Sequence, residues 1–325
     1  MARRHRSRRP GPRASVSGVT VSENCALALD LGGTKLEGAL VDASGAIIAS
    51  SRNRVPTGPD STPESLADAF EQVVRTSLAH VPDGAIFVGT GIGSAGPIDF
   101  ASGAIYPVNM PQAHGFEVVA VVRRIVSSGS EVTLRLDGTC LALAENRWGA
   151  AQGSSASMSV VVSTGIGGGI VIDGRTVTGR SGNAGHIGQT HVSTHDLPGG
   201  QADAATVEQL ASGPNIVRWA QSQGWAGETG EDLARSAAAG DRMAVAAVER
   251  SATLVGRAFA DAATLLDLET IVVGGGFSHV SPDYVDLVGE SLRSCAPLDY
   301  ARRVSIVRSA LHGDGPLLGA AALAL

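Results

Sequence analysis

Apolar and polar positions along the chain fall into two rhythms. Between residues 25 and 51 the apolar run CALALDL gives way to a Gly-Gly loop and a second apolar run. A turn at Ala43–Gly45 and a third short run follow, so this stretch predicts three strands. Residues 159–179, SVVVSTGIGGGIVIDGRTVTG, repeat the plan with their turn at Asp173–Gly174. Short apolar runs at 86–92, 132–136, 271–273 and 304–307 predict further strands. Helical spacing governs much of the rest. Residues 61–80 open on a Ser/Thr-Pro start signal and carry Leu66, Phe70, Val73 and Val74 on one stripe. Helices are predicted likewise over 117–126, 138–148, 205–222, 241–267 and 315–325. Strands mixed with helices, with both glycine loops just after strands, predict an α/β protein. The repeated strand–glycine loop–strand predicts two similar domains facing one another across a cleft, divided near residues 130–137.

Composition narrows the class. A hydrophobic fraction of 43% with 17% charged residues suits a soluble globular chain, and no stretch reaches 18 unbroken apolar residues. The net charge of −6 is uneven: residues 1–24 carry six arginines against Glu23, about +5, which leaves about −11 on the remainder. That opening has no apolar periodicity and no signal-peptide core, so a disordered basic arm is expected, with nucleic-acid binding the lesser reading. Cys25, Cys140 and Cys295 lie far apart, which suits a reducing cytosol and argues against a disulfide framework or a cysteine zinc site. The expectation is a cytoplasmic protein.

The glycines carry the candidate chemistry. In Asp30-Leu31-Gly32-Gly33-Thr34-Lys35, paired glycines let backbone N–H groups approach a phosphate without a Cβ in the way. Thr34 adds a hydroxyl, and Asp30 at the strand end can hold Mg²⁺ through water. The spacing is not that of a Walker loop, and an ordinary hairpin is the competing reading. Ser163-Thr164-Gly165-Ile166-Gly167-Gly168-Gly169 offers a second cradle, and Val272-Val273-Gly274-Gly275-Gly276 a third strand end where a base or ribose could lie. Asp137 follows the run VTLRL and precedes a helical pattern. A carboxylate there is placed to act as a base, or simply to cap the helix.

These pieces together resemble the ROK family of sugar kinases and sugar-sensing repressors, within the larger hexokinase–actin fold. The resemblance covers about residues 25–325 and rests on LDLGGTK (29–35), GIGSAGPID (91–99), VNMP around Asn109 and LDGTCLALAE (136–145). It continues through STGIGGGIV (163–171), GRSGNAGHIGQ (179–189), VEQLASG (207–213), VVGGG (272–276) and GPLLGAA (315–321). It implies two actin-like (ribonuclease H-like) domains with a ligand cleft between them. These would be residues 25–136 and 137–314, with a terminal helix over 315–325 packing back on the first. It implies ATP and Mg²⁺ as cofactors, a sugar or sugar-like polyol as acceptor and a homodimer.

Residue by residue, Asp137 matches the catalytic base. Gly32, Gly33 and Thr34, with Asp30 and Lys35 beside them, and Thr164, Gly165, Gly167 and Gly168 match the phosphate loops. Gly275 and Gly276 match the adenosine motif. By the same resemblance Gly96, Asn109, His186, Gln189 and Glu208 would line the sugar site, with Glu208 matching the glutamate that reaches the anomeric end. The sequence also departs from the pattern. Leu136 stands where the family has Asn, and the family's Glu-x-Gly-His reads His186-Ile187-Gly188-Gln189. No cysteine falls within 190–208, so no structural zinc is expected despite His191 and His195. The leading expectation is an ATP-dependent kinase of the 6-hydroxyl of a hexose or N-acetylhexosamine. Kanosamine or a C7 cyclitol is an alternative acceptor, and a non-catalytic sugar sensor an alternative class. A repressor would need a winged helix-turn-helix of roughly 60–80 residues ahead of the fold, where about 24 stand before the first strand.

Overall fold

The structure, a computed structural model, describes residues 24–126, 129–197 and 205–325. Of the basic arm expected over 1–24, only Asn24 lies within these residues. The first half builds a mixed sheet. β1 (Asn24–Leu31) and β2 (Lys35–Asp42) run antiparallel, with Cys25 opposite Asp42 and Leu31 opposite Leu36. β3 (Asn53–Pro56) extends the edge beside β2. α1 (Pro63–Leu78) then crosses to β4 (Ile86–Ser94), parallel to β1. A small pair, β5 (Ile98–Asp99) and β6 (Ala104–Ile105), and α2 (Val118–Ile125) lead to β7 (Val132–Leu136), parallel to β4. α1 starts where it does because Thr62 and Ser65 form a reciprocal capping box and Pro63 sits where its missing N–H costs nothing.

Strand alternation decides what each face of this sheet meets. Cys25, Leu27, Leu29 and Leu31 pack with Phe70, Val73 and the α2 valines on one side. Ala26 and Ala28 point the other way, into a layer of small residues. That layer is covered by α3 (Asp137–Trp148) and by the terminal α10 (Gly315–Ala322). Asp30 is next in the series 26, 28, 30, so the pleat aims it at the face that α3 covers.

The second half runs β8 (Ala156–Val162), β9 (Ile166–Ile172), β10 (Arg175–Thr176), then the small pair β11 (His191–Val192) and β12 (Ala205–Thr206). α4 (Val207–Ala211), α5 (Gly213–Ser222), α6 (Gly230–Ala238) and α7 (Arg242–Leu266) follow. β13 (Thr270–Gly274), α8 (Tyr284–Cys295), α9 (Asp299–Arg302) and β14 (Ser305–Arg308) complete it before α10. The two large sheets read β3-β2-β1-β4-β7 and β10-β9-β8-β13-β14, one order of strands used twice. The duplication seen in the two glycine loops thus extends to whole sheets.

Three expectations change. The third strand of the first unit is β3, not the run ending at residue 51. Buried Ser51 accepts a hydrogen bond from the Leu40 amide (2.8 Å) at the end of a 3₁₀ turn over Ala49–Ser51, taking the partner a strand would have used. The single helix expected over 205–222 is a short strand and two helices broken at Ser212, because the ring of Pro214 excludes an unbroken turn from the carbonyl four residues back. α6 and α8 were not foreseen. No helix among the described residues is long and apolar enough to cross a membrane.

Candidate active site

β1, β4 and β7 are parallel neighbours, and their carboxyl ends stand side by side: Asp30 pairs with Gly93, Gly93 with Arg135, and Ser94 with Leu136. Ligands of open α/β sheets bind at such ends. Asp137 is the first residue of α3, and its Oδ1 accepts from the Gly138 amide at 2.6 Å. It therefore satisfies one of the orphan donors at the start of α3 while keeping its other oxygen clear of that bond. Burial pushes the Asp30 carboxyl up to about 7, the nearby Asp137 charge adds to the effect, and Lys35 opposes it. Burial also raises Asp137, against the Gly138 amide and the His186 ring, which favour its ionised form. Cys140, one turn into α3, has its thiol pushed well up by burial and by both carboxylates. Two carboxylates thus share one recess with too little positive charge to match them.

The first glycine loop is a tight reversal closed by the Gly32 amide on the Lys35 carbonyl (2.9 Å) and braced by Thr57, whose hydroxyl donates to the Gly32 carbonyl (3.1 Å). A Cβ on Gly33 would overlap the Asn109 amide nitrogen, so Asn109 lies directly over this loop. Lys35 begins β2 and its ammonium is held by Glu37 at 2.5 Å. Glu37, 3% exposed, also takes Arg52 (2.6 Å) and Arg54 (2.9 Å), and Arg52 reaches on to Asp314 ahead of α10 (2.6 Å). Burial alone would raise Glu37, but these donors hold its carboxyl down at about 2.

The second loop is shorter than expected. It comprises Ser163, Thr164 and Gly165, because Gly167 and Gly168 are already paired in β9, opposite Val161 and Val160. A Cβ on Gly138 would come within 2.7 Å of the Gly168 carbonyl oxygen, so the bare β9 backbone lets the start of α3 settle against it. Glu208, in the first turn of α4, accepts from the Ile166 amide (2.8 Å) and from the Gln189 side chain (3.1 Å).

Gly96 sits between Leu136 and His186: a Cβ there would overlap Leu136 Cδ2 and stand 3.6 Å from His186 Nε2. Leu136 is buried, so the position where the family pattern has Asn is here part of the packing. The structure therefore brings Asp30, Asp137, Gly96 and His186 together, with Asn109 over the first loop. Gln189 and Glu208 form a second cluster on the β9 side. Among the described residues no group of three or more His, Cys, Asp or Glu is arranged to hold a metal ion.

Beyond the second loop lies a cavity of about 600 Å³ lined by Ser163, Thr164, Gly213, Val217, Gly276, Phe277 and Glu228, among others. Its size falls in the range of small-molecule sites. Gly275 (φ +91°) makes the turn that carries Gly276 to its wall. Sequence reading found Thr164 and Gly276 but missed Val217, Phe277 and Glu228.

The sequence model of the ROK family matches residues 26–325. The chain belongs to the ROK family. An N-acetylmannosamine kinase from Escherichia coli O7:K1 (strain IAI39 / ExPEC) is 34% identical over 301 residues, covering 92% of this chain and 98% of that protein. A ROK hexokinase from Thermus thermophilus superposes with a TM-score of 0.76 at 32% identity, over 92% of this chain and 97% of the other. A ROK family glucokinase from Streptomyces griseus, in complex with glucose and AMPPNP, gives a TM-score of 0.72 at 29% identity, over 92% and 99%. The two-sheet architecture of this ROK protein is thus the actin-like one of its relatives.

Proposed function

We propose an N-acetylhexosamine, with N-acetylmannosamine first among them, as the acceptor of this ATP-dependent sugar kinase of the ROK family. The full-length similarity to an N-acetylmannosamine kinase supports that choice. None of the relatives reported above favours the cyclitol, kanosamine or non-catalytic sensor alternatives. The observation that carries the mechanism is Asp137 at the carboxyl end of β7, on the recess it shares with Asp30, with His186 beside it.

In this reading the 6-hydroxyl of the sugar lies against Asp137. The hydroxyl oxygen attacks the γ-phosphorus of ATP, its proton passes to the Asp137 carboxylate, and the bond to the β,γ-bridging oxygen breaks to release ADP. Phosphoryl transfer asks the protein mainly for positioning and charge, and those are what the chain supplies. Gly32, Gly33, Thr34 and the Ser163–Gly165 turn present amides and hydroxyls to the phosphates. The 600 Å³ cavity beside Gly276 and Phe277 takes the adenosine. Gly96, Asn109, His186 and Glu208 surround the sugar. The under-compensated carboxylates fit a cation in the recess: when bound, magnesium supplies positive charge to the polyphosphate, and Asp30 would hold it through water. The enzyme works in the cytosol in this account, as a homodimer of two-domain subunits divided at residues 136 and 137.

A coupled assay of ADP release tests the acceptor across N-acetylmannosamine, N-acetylglucosamine, glucose, kanosamine and a C7 cyclitol. The expected outcome is the highest kcat/KM on an N-acetylhexosamine. A preference of tenfold or more for a cyclitol or kanosamine would overturn the choice of acceptor.

A further inference from the structure

We infer that Gln189 is a positioning residue, which sets the Glu208 carboxylate for the acceptor by pairing with it across a two-stranded register. The inference rests on the sugar-kinase reading, in which Glu208 binds the acceptor. β11 and β12 pair His191 with Thr206 and Val192 with Ala205. The next rung outward is made by the Val207 amide on the Thr190 carbonyl (2.9 Å). One rung further the same register sets Gln189 opposite Glu208, and there the side chains meet: Gln189 Nε2 donates to Glu208 Oε1 at 3.1 Å. The pair is thus an extension of the ladder through side chains, where the backbones have already turned into a 3₁₀ turn on one side and α4 on the other.

Both partners are anchored from behind. The Gln189 amide donates to the His186 carbonyl (3.0 Å), and Gly188 lies so close to the Ile166 carbonyl that no Cβ would fit. Glu208 follows Thr206, which caps α4 reciprocally with Gln209. Its other oxygen, Oε2, accepts from the Ile166 amide at 2.8 Å. Each carboxylate oxygen therefore has one donor, which fixes the rotation of the group and leaves further lone pairs on both for sugar hydroxyls. With Gln189 removed, the carboxylate hangs from the Ile166 amide alone and turns freely. An amide suits this task because it donates without neutralising the acceptor charge. The same turn presents His186 to Asp137, so the segment 186–189 reaches the two clusters of the site at once.

Steady-state kinetics on the best acceptor, with wild type, Gln189→Ala, Glu208→Ala and the double variant, test this. Gln189→Ala should raise the acceptor KM about tenfold, the loss of one hydrogen bond to a charged group, with kcat and the KM for ATP within about twofold. In the Glu208→Ala background the same change should move the acceptor KM by less than about twofold, because its target is gone. An equal factor in both backgrounds would show that Gln189 acts on something else, and an unchanged KM in the single variant would show that it sets nothing; either overturns the inference. A measurement without turnover separates this failure from that of the kinase reading. The Gln189 side-chain amide signals, assigned in a ¹⁵N–¹H spectrum by their loss in Gln189→Ala, should shift in Glu208→Ala. Unshifted signals would overturn the pairing even if no sugar is phosphorylated, whereas shifted signals without turnover would count against the kinase reading alone.

Discussion

The two halves of the molecule use one strand order and arm it differently. At the end of β1 the first half places a buried carboxylate, Asp30, and beside it the cluster of Glu37 with Lys35, Arg52 and Arg54. At the matching end of β8 the second half places Ser163, Thr164 and Gly165, with no charged residue of its own. A carboxylate reaches it from α4: Glu208 accepts from the Ile166 amide and from Gln189. The shared topology supplies a crevice at the carboxyl ends of parallel strands, while a buried carboxylate at the strand end is added on the first side only and the second loop itself stays neutral. A polyphosphate held between the halves would then meet Asp30 at the end of β1 on one side and the hydroxyls and amides of Ser163–Gly165 on the other.

Removing the charge from the first side should cost most. Asp30→Asn is expected to lower kcat by about 10²-fold or more, if Asp30 holds the cation of the phosphates. It should also change stability in a definite direction. The folded carboxyl keeps its proton until about pH 7 while the unfolded one loses it near 3.8, so ionisation favours unfolding. Wild-type stability without nucleotide should therefore fall between about pH 4 and pH 7 relative to Asp30→Asn, as chemical denaturation at several pH values would show.

Glu37→Gln tests the ion cluster. Its carboxyl is lowered from 4.5 to about 2, so it contributes stability above pH 4.5 that is lost as pH falls toward 2. The variant should lose about 2 kcal/mol at pH 7, allowing for solvent screening of the half-exposed partners. That loss should vanish near pH 2. A variant as stable as wild type at pH 7 would show that the cluster contributes only geometry. The smallest effect belongs to the neutral side: Thr164→Ala removes one hydroxyl and should raise the KM for ATP less than about tenfold. A loss as large as that of Asp30→Asn would erase the contrast between the halves.

Much of this was legible in the sequence because repeated patterns have repeated structural causes. The two glycine loops announced two sheets of one strand order. Stretches decided by a single contact or break within an otherwise regular apolar pattern were not legible. Ser51 satisfies the Leu40 amide from eleven residues away and displaces a strand that local pattern favours. Pro214 splits a run that otherwise keeps helical period. Gly167 and Gly168 read as loop, yet they are paired strand residues, and it is the next glycine, Gly169, whose missing Cβ makes room for Gly138 and Thr139 at the start of α3. The cavity wall is assembled from α5, α6 and the turn after β13; the glycines of that turn carry a local mark of a binding role, whereas the α5 and α6 residues do not.

Asp137 as the proton acceptor is the central role in the proposed reaction, and one substitution measures it. Asp137→Asn keeps the shape of the side chain and its acceptor for the Gly138 amide, and Asn begins helices nearly as well. Steady-state turnover of the best acceptor at saturating ATP should therefore fall by about 10²-fold or more, while thermal stability and the KM for ATP stay near those of wild type. A variant that turns over within a few-fold of wild type would contradict the account, and the proton would have to leave through another group.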